Sequence, residues 1–352
     1  MNKFWSSAVF RAEPYVPGEQ IEKVDLVKLN TNENPYPPSP MVINAIQAEL
    51  NNKLHRYPSP TVDSLREKIA SYNKLDSDQV FVGNGSDEVL AFSFMAFFEP
   101  DQTIRFPSIS YSFYPVYAKL FNIPYEEVPL NRDFSLAIDK FFQSEGGVIF
   151  PNPNAPTSVY LDLAHVADIV ESNPNRVVII DEAYVDFAKE SAVTLVNRYE
   201  NLLVVQTMSK SRSLAGLRIG FALGHPGLIE ALNRVKNSFN SYTIDRLAIA
   251  GAEAAITDED YFNNTVANVV STREWVTQSL KKMGFSILPS DTNFLFVCHY
   301  KINANTVYTK LKEQNVLVRH FNKSPIDNYL RITIGTDEDM EFLLNKLKFI
   351  IQ

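Results

Sequence analysis

Four short polar stretches each follow a run of apolar residues, and they hold the side chains best suited to chemistry. TMSKSRSLAGLRIG, residues 207–220, follows LLVVQ and carries Lys210 between two serines, with Arg218 eight positions later. DEAY (181–184) follows RVVII, GNGSDE (83–88) follows QVFV, and PNPNAPTS (151–158) follows GVIF. The small residues of GNGSDE lead into a helical pattern, so free N–H groups at a helix start would face an anion brought there. Ser86 reads equally well as a plain N-cap. The hydroxyls of Thr207 and Ser209 with the guanidinium of Arg218 would complete a phosphate cradle, although Arg218 alone reads as a surface ion pair. Asp181 ends an apolar strand, where a carboxylate is costly to bury without a cation. Two partners are open for it: Lys210 in a structural salt bridge, or the protonated ring nitrogen of a cofactor.

These groups need a scaffold that brings four distant stretches together. QVFVGN, DQTIRF, YEEVPL, GVIFPN, RVVIID, NLLVVQT and IGFALG read as strands, with helical patterns over 86–98, 111–121, 135–143, 161–172 and 227–238. Near-continuous apolar strands between helices predict an α/β protein with a largely parallel sheet covered on both faces. Such sheets bind ligands at the carboxyl ends of their strands, which is where the four polar stretches fall. Upstream, NTNENPYPPSP (30–40) holds four prolines and reads as an extended arm, as does RYPSP (56–60). MVINAIQAEL and SLREKIASYNK read as helices. From about 259 to 283 a long helix is expected, with Phe262, Val266, Val269, Val270, Trp275 and Leu280 as its buried stripe, ending at Gly284. Beyond it SILP, NFLFVCH, VLVRHF and YLRITI read as strands, with helices at 302–314 and 337–350, which predicts a smaller α+β domain. The expected organisation is an N-terminal arm with part of the small domain (1–45), a large ligand-binding domain (46–258) and a small C-terminal domain (259–352).

The 352 residues are 45% hydrophobic and 21% charged, enough for two domains with sizeable cores. The net charge of −8 argues against a general nucleic-acid binder. The single cysteine, Cys298, allows no internal disulfide and reads as a small buried hydrophobe in NFLFVCHY. The N-terminus has no long apolar core, and the longest nearly apolar run, VLAFSFMAFF (89–98), falls short of the ~20 residues a bilayer span needs. A cytoplasmic protein with no membrane partner and no metal is expected.

Taken together, LNTNENPYPPSP (29–40), RYPSP (56–60), GNGSDE (83–88), NPNAPTS (152–158), DEAYVDF (181–187), SKSRSLAGLRIG (209–220) and YLRITIGT (329–336) resemble the fold-type I enzymes that use pyridoxal 5′-phosphate. Within them the chain is most similar to the histidinol-phosphate aminotransferase family. The resemblance implies a mostly parallel seven-stranded sheet in the large domain, and transamination between histidinol phosphate and 2-oxoglutarate by a ping-pong route in histidine biosynthesis. It implies Lys210 as the covalent anchor and proton carrier, Asp181 on the pyridine nitrogen, Tyr184 on the ring 3-oxygen and Tyr111 against the ring face, the last reading equally as core packing. Gly85, Ser86, Asp87, Thr207, Ser209 and Arg218 would hold the cofactor phosphate. Arg331 would grip the substrate carboxylate or phosphate, with Arg319, Tyr15, Asn32 and Glu33 nearby. Tyr57 would reach in from a neighbouring subunit, implying a homodimer. The sequence departs from the family at Ala155, where an asparagine usually serves the ring 3-oxygen, and at Ser158, usually glycine. Asn154 or Asn152 would substitute for it, or Tyr184 would act alone. Threonine-phosphate decarboxylases and aromatic-amino-acid aminotransferases share the scaffold and stand as alternatives.

Overall fold

The computed structural model describes residues 3–15, 18–21 and 25–351. Twelve strands are found among them: Val27–Leu29 (β1), Val80–Asn84 (β2), Ile104–Pro107 (β3), Tyr125–Val128 (β4), Val148–Pro151 (β5), Val178–Asp181 (β6), Leu202–Thr207 (β7), Ile219–Gly224 (β8), Phe285–Ile287 (β9), Phe294–His299 (β10), Val316–His320 (β11) and Leu330–Thr333 (β12). Seven of them form one sheet in the order β2-β8-β7-β6-β5-β3-β4. The strands from β7 to β4 run parallel, while β8 is antiparallel to both of its neighbours.

The apolar runs are continuous because both faces of this sheet are covered. Successive side chains of a strand point to opposite faces. Val178, Ile180, Leu202 and Val204 enter one core, with Leu65 and Ile69 of helix Asp63–Asn73, Val166 and Ile169 of Leu163–Glu171, and Ala248 and Ala252 of Arg246–Thr257. Ile179, Leu203 and Val205 enter the other, with Leu90 and Phe94 of Gly85–Phe97, Tyr114 and Tyr117 of Tyr114–Phe121, and Ile229 and Leu232 of Pro226–Phe239. Each large apolar side chain fully buried this way contributes about 1.5–3 kcal/mol.

The remaining five strands form a second sheet, β1-β11-β12-β10-β9, with only β1 and β11 parallel. It packs on Val269, Val276 and Leu280 of helix Glu259–Lys282 and on Leu343 and Leu347 of Asp337–Ile350. Through β1 the N-terminal segment joins this sheet, and residues 30–39 then run without regular secondary structure to the helix Pro40–Glu49, capped by Ser39. The strand expectations hold to within a few residues. The helix expected over 135–143 is instead a single 3-10 turn, Ile138–Phe141, bounded by Phe134 and Gln143 at positive φ, a conformation no α-helix continues through. The helix expected from 111 begins at Tyr114, which leaves Tyr111 in the loop after β3. Among the described residues no helix is long and apolar enough to cross a membrane.

Candidate active site

The site begins where β2 turns into the helix Gly85–Phe97. Gly85 has φ +77, a left-handed conformation that glycine adopts without steric cost. β8 lies so close to this turn that a Cβ on Gly220 would come within 2.2 Å of the Ser86 nitrogen. Arg218, just before β8, donates from Nη2 to Asp87 Oδ2 at 2.9 Å. Asp87 also accepts from Tyr111 Oη at 2.6 Å, and its backbone carbonyl accepts from Tyr117 Oη at 2.9 Å. At the end of β7, the hydroxyls of Thr207 and Ser209 meet at 3.0 Å. Ser86, Asp87, Tyr111, Thr207, Ser209 and Arg218 line one cavity together with Asp181, Tyr184 and Lys210. Main-chain N–H groups, hydroxyls and a guanidinium on one wall are the donor set that a phosphate monoester requires.

Asp181 is 4% exposed at the end of β6. Burial pushes its carboxyl up to about 6, opposed by hydrogen bonds from Tyr114 Oη, at 2.9 Å, and the Ala183 N–H. No ion pair joins Asp181 to Lys210 among the described residues. Lys210 Nζ instead donates to the Thr31 carbonyl at 3.3 Å and stands 5.9 Å from the Tyr184 ring centre. Of the two partners left open for Asp181, the structural salt bridge is therefore not the one formed. Lys210 is held from behind: Asn34 Nδ2 donates to the carbonyls of Lys210, at 2.9 Å, and Ser211, and the Ser211 hydroxyl donates to Asp186.

Of the three groups expected to stand in for the missing asparagine, Asn152 and Asn154 border neither this cavity nor the one beside it, while Tyr184 borders this one. Asn154 is buried and spends its amide on the Ile109 carbonyl, at 3.0 Å, and the Thr157 hydroxyl. Asn152 is paired in both directions with Leu161. Ala155, by contrast, borders the cavity. Ser158, at φ +67, donates to the Pro289 carbonyl at 2.9 Å and so ties the loop after β5 to the segment before β10.

A second cavity opens beside the first and shares Tyr111, Ala155, Tyr184 and Lys210 with it. It is also lined by Tyr15, Asn32, Arg319 and Arg331. Arg319 on β11 and Arg331 on β12 are direct cross-strand partners. Like charges set opposite each other destabilise a strand pair. Neither arginine forms an ion pair with a carboxylate among the described residues, although Glu19, paired with Lys312, lies within electrostatic reach of Arg319. Arg331 donates to the Asn30 carbonyl at 2.9 Å, while its buried Nε has no acceptor. Burial, with Arg319 beside it, lowers the Arg331 pKa. Glu33 does not border either cavity; it pairs with Lys28 at 2.6 Å, within electrostatic reach of Lys210, and Tyr57, expected to serve a neighbouring subunit, is 78% exposed and stacked on Tyr242.

Residues 24–347 match the family described as aminotransferase class I and II. The chain belongs to the class I and II aminotransferases. Among relatives of this aminotransferase, "Histidinol-phosphate aminotransferase 1" of Oceanobacillus iheyensis is 58% identical over 352 residues, covering 100% of this chain and 99% of that one. "Histidinol-phosphate aminotransferase" of Clostridium acetobutylicum is 56% identical over 348 residues, 99% of each chain. Among solved structures, histidinol-phosphate aminotransferase from Sinorhizobium meliloti in complex with pyridoxal-5′-phosphate superposes with a TM-score of 0.90 at 22% identity, covering 100% of this chain and 98% of that one.

The residues of this aminotransferase fit pyridoxal 5′-phosphate on one observation above all. Asp181 is buried without an ion-paired cation among the described residues, in a cavity that the phosphate cradle and Lys210 also line. A protonated pyridine nitrogen supplies the missing cation. Sequence reasoning did not find Tyr114, Asn34 and Asp186. The one signal for Tyr114 was its spacing from Tyr111 in SYSFY; Asn34 and Asp186 lie in quoted motifs but act on the Lys210 loop only through tertiary folding.

Proposed function

We propose that this aminotransferase moves the amino group of L-histidinol phosphate to 2-oxoglutarate, giving imidazole acetol phosphate and L-glutamate, as a step of histidine biosynthesis. The observation that carries the reading is the Arg319–Arg331 pair. Two cross-strand arginines without an ion-paired carboxylate, lining the cavity that Lys210 also lines, suit a ligand with a strongly anionic tail and an amine at its other end. A phosphate monoester and the distal carboxylate of glutamate both present paired oxygens to a planar guanidinium, so one wall serves both half-reactions.

Pyridoxal 5′-phosphate, when bound, supplies the electron-withdrawing ring and carries the amino group between the two half-reactions. The chain does the rest. Lys210 links to the cofactor and moves the proton at the substrate carbon that bears nitrogen. Asp181 keeps a proton on the ring nitrogen. Ser86, Thr207, Ser209 and Arg218 hold the phosphate, and Tyr111 borders the space for the ring. Tyr15 and Asn32 close the substrate side.

The working unit in this reading is a homodimer. The segment around Tyr57 carries Met41, Ile43, Leu50 and Leu54 exposed, an apolar surface that a second copy would cover, and Tyr57 would enter the neighbouring site. The functional test is a substrate panel with 2-oxoglutarate as acceptor. Histidinol phosphate should exceed phenylalanine, which has no anionic tail, in kcat/KM by at least about 100-fold, the discrimination that ~2.7 kcal/mol of anion recognition provides; O-phosphothreonine, which carries a phosphate too, is told apart by its product. Carbon dioxide release from phosphothreonine, or a preference for phenylalanine, would replace this reading.

A further inference from the structure

We propose that Asn32 and Thr333 act through Tyr184 to replace the hydrogen-bond donor that Ala155 lacks, making Tyr184 the donor held on the phenolic oxygen of the cofactor. The inference rests on the cofactor reading above. The Ala155 side chain offers no polar group to the cavity it borders, and the amide nitrogens of Asn152 and Asn154 are engaged elsewhere, by the Leu161 carbonyl and by the Ile109 carbonyl with the Thr157 hydroxyl. Tyr184 lines both cavities and is 9% exposed.

A phenol has one proton, and its neighbours decide where that proton goes. Asn32 Nδ2 donates to Tyr184 Oη at 2.9 Å. The amide of Asn32 is oriented at its other end. Thr333 Oγ1 accepts the Asn32 backbone N–H at 3.0 Å and donates its own proton to Asn32 Oδ1 at 3.0 Å. Asn293 Nδ2 holds the Asn32 carbonyl at 3.0 Å, and Asn32 and Thr333 are 1% and 3% exposed. With its acceptor end fixed on Thr333, Asn32 can only donate to Tyr184, so the tyrosine's proton is left for the cavity. The opposite amide orientation would draw that proton back to Asn32. Asn32 sits at φ +56, a conformation that asparagine and aspartate tolerate better than other residues with a Cβ.

A donor on the phenolic oxygen favours loss of the proton from the Lys210–cofactor linkage, so the arrangement lowers the pH at which bound cofactor changes its visible absorption. The charged groups facing the same space are Asp87, Asp181, Lys210, Arg218, Arg319 and Arg331, with Glu33 within electrostatic reach of Lys210. Thr333→Val alters none of these charges.

The test is a spectrophotometric pH titration of the cofactor-loaded protein without substrate. Thr333→Val and Asn32→Asp should raise the midpoint by about one pH unit, a tenfold shift in the ionisation equilibrium. Thr333→Ser, which keeps the hydroxyl but loses a packed methyl, should hold the parent's midpoint, separating orientation of Asn32 from packing. Ala155→Asn should lower the midpoint and shrink the effect of Thr333→Val in the double variant. Loaded Thr333→Val and Ala155→Asn proteins that both titrate with the parent would overturn the inference while leaving the cofactor reading intact. A parent protein that takes up no pyridoxal 5′-phosphate would overturn both.

Discussion

Lys210, Asp181 and Arg331 come from three separate stretches of chain, and each has a polar or charged group whose natural partner is not another side chain. For Asp181 it is a cation, for the Arg331 Nε an acceptor. Lys210→Ala should abolish turnover while the cradle still retains pyridoxal 5′-phosphate, read by mass of the denatured protein and by dialysis; full activity in this variant would refute the anchor role. Arg331→Lys keeps the charge but loses the planar fork. It should lower kcat/KM for both histidinol phosphate and 2-oxoglutarate by about 10–100-fold, the worth of roughly 1.4–2.7 kcal/mol of charge-assisted hydrogen bonding. An effect on one substrate alone would mean that the two do not share the wall. At this scale the sequence was legible where a residue type announces its chemistry, as with Lys210, Asp181 and Arg218. It was opaque where a side chain acts through a backbone carbonyl or a hydroxyl. Asn34 gripping the Lys210 carbonyl and Tyr114 donating to Asp181 are pairs created by folding, with no pattern along the chain.

The strands were legible because both faces of the large sheet are covered, which makes RVVIID and NLLVVQT apolar without interruption. β1 was not, since Val27–Leu29 is too short to show a period and takes its partner, Val316–Val318, from the far end of the chain. Helix Arg246–Thr257 also went unread, because its small residues, LAIAGAEAAI, pack closely on Pro40–Glu49 rather than showing a wide stripe of large side chains. β8 passes close against the turn that starts Gly85–Phe97. Gly220→Ala forces backbone against backbone there, so it should cost about 1–3 kcal/mol in unfolding free energy and weaken cofactor retention together. A variant that melts with the parent and holds the cofactor equally well would show that the turn has slack. Ile180→Ala, in the opposite core and away from the cradle, should cost about 2–5 kcal/mol without that selective loss of affinity.

For the whole molecule, two buried carboxyls set a dependence of stability on pH. Burial pushes Glu182 up to about 7 from 4.5, although Ser191, the Ala192 N–H and Gln206 all donate to it, and Asp181 up to about 6 from 3.8. The folded protein therefore keeps protons that the unfolded chain has already released. Their contribution to stability is present in full below pH ~4 and is lost as pH rises through the folded values, reaching its minimum above pH ~7. Denaturant unfolding of the cofactor-free protein should show this fall between pH 4.5 and 7, and Glu182→Gln should flatten it; a slope unchanged by the substitution would contradict the assignment. The homodimer makes a separate prediction. Mixing Tyr57→Ala with Lys210→Ala subunits creates one site with both residues intact, so activity should rise above that of either variant alone. No rise in a mixture shown to exchange subunits would mean that Tyr57 serves no neighbouring site.

The measurement that tests the central claim most directly is product formation from histidinol phosphate with no 2-oxoglutarate present. The account predicts one equivalent of imidazole acetol phosphate per subunit and then a halt, with turnover resuming when 2-oxoglutarate is added. Absence of the keto product, or carbon dioxide in its place, would contradict it.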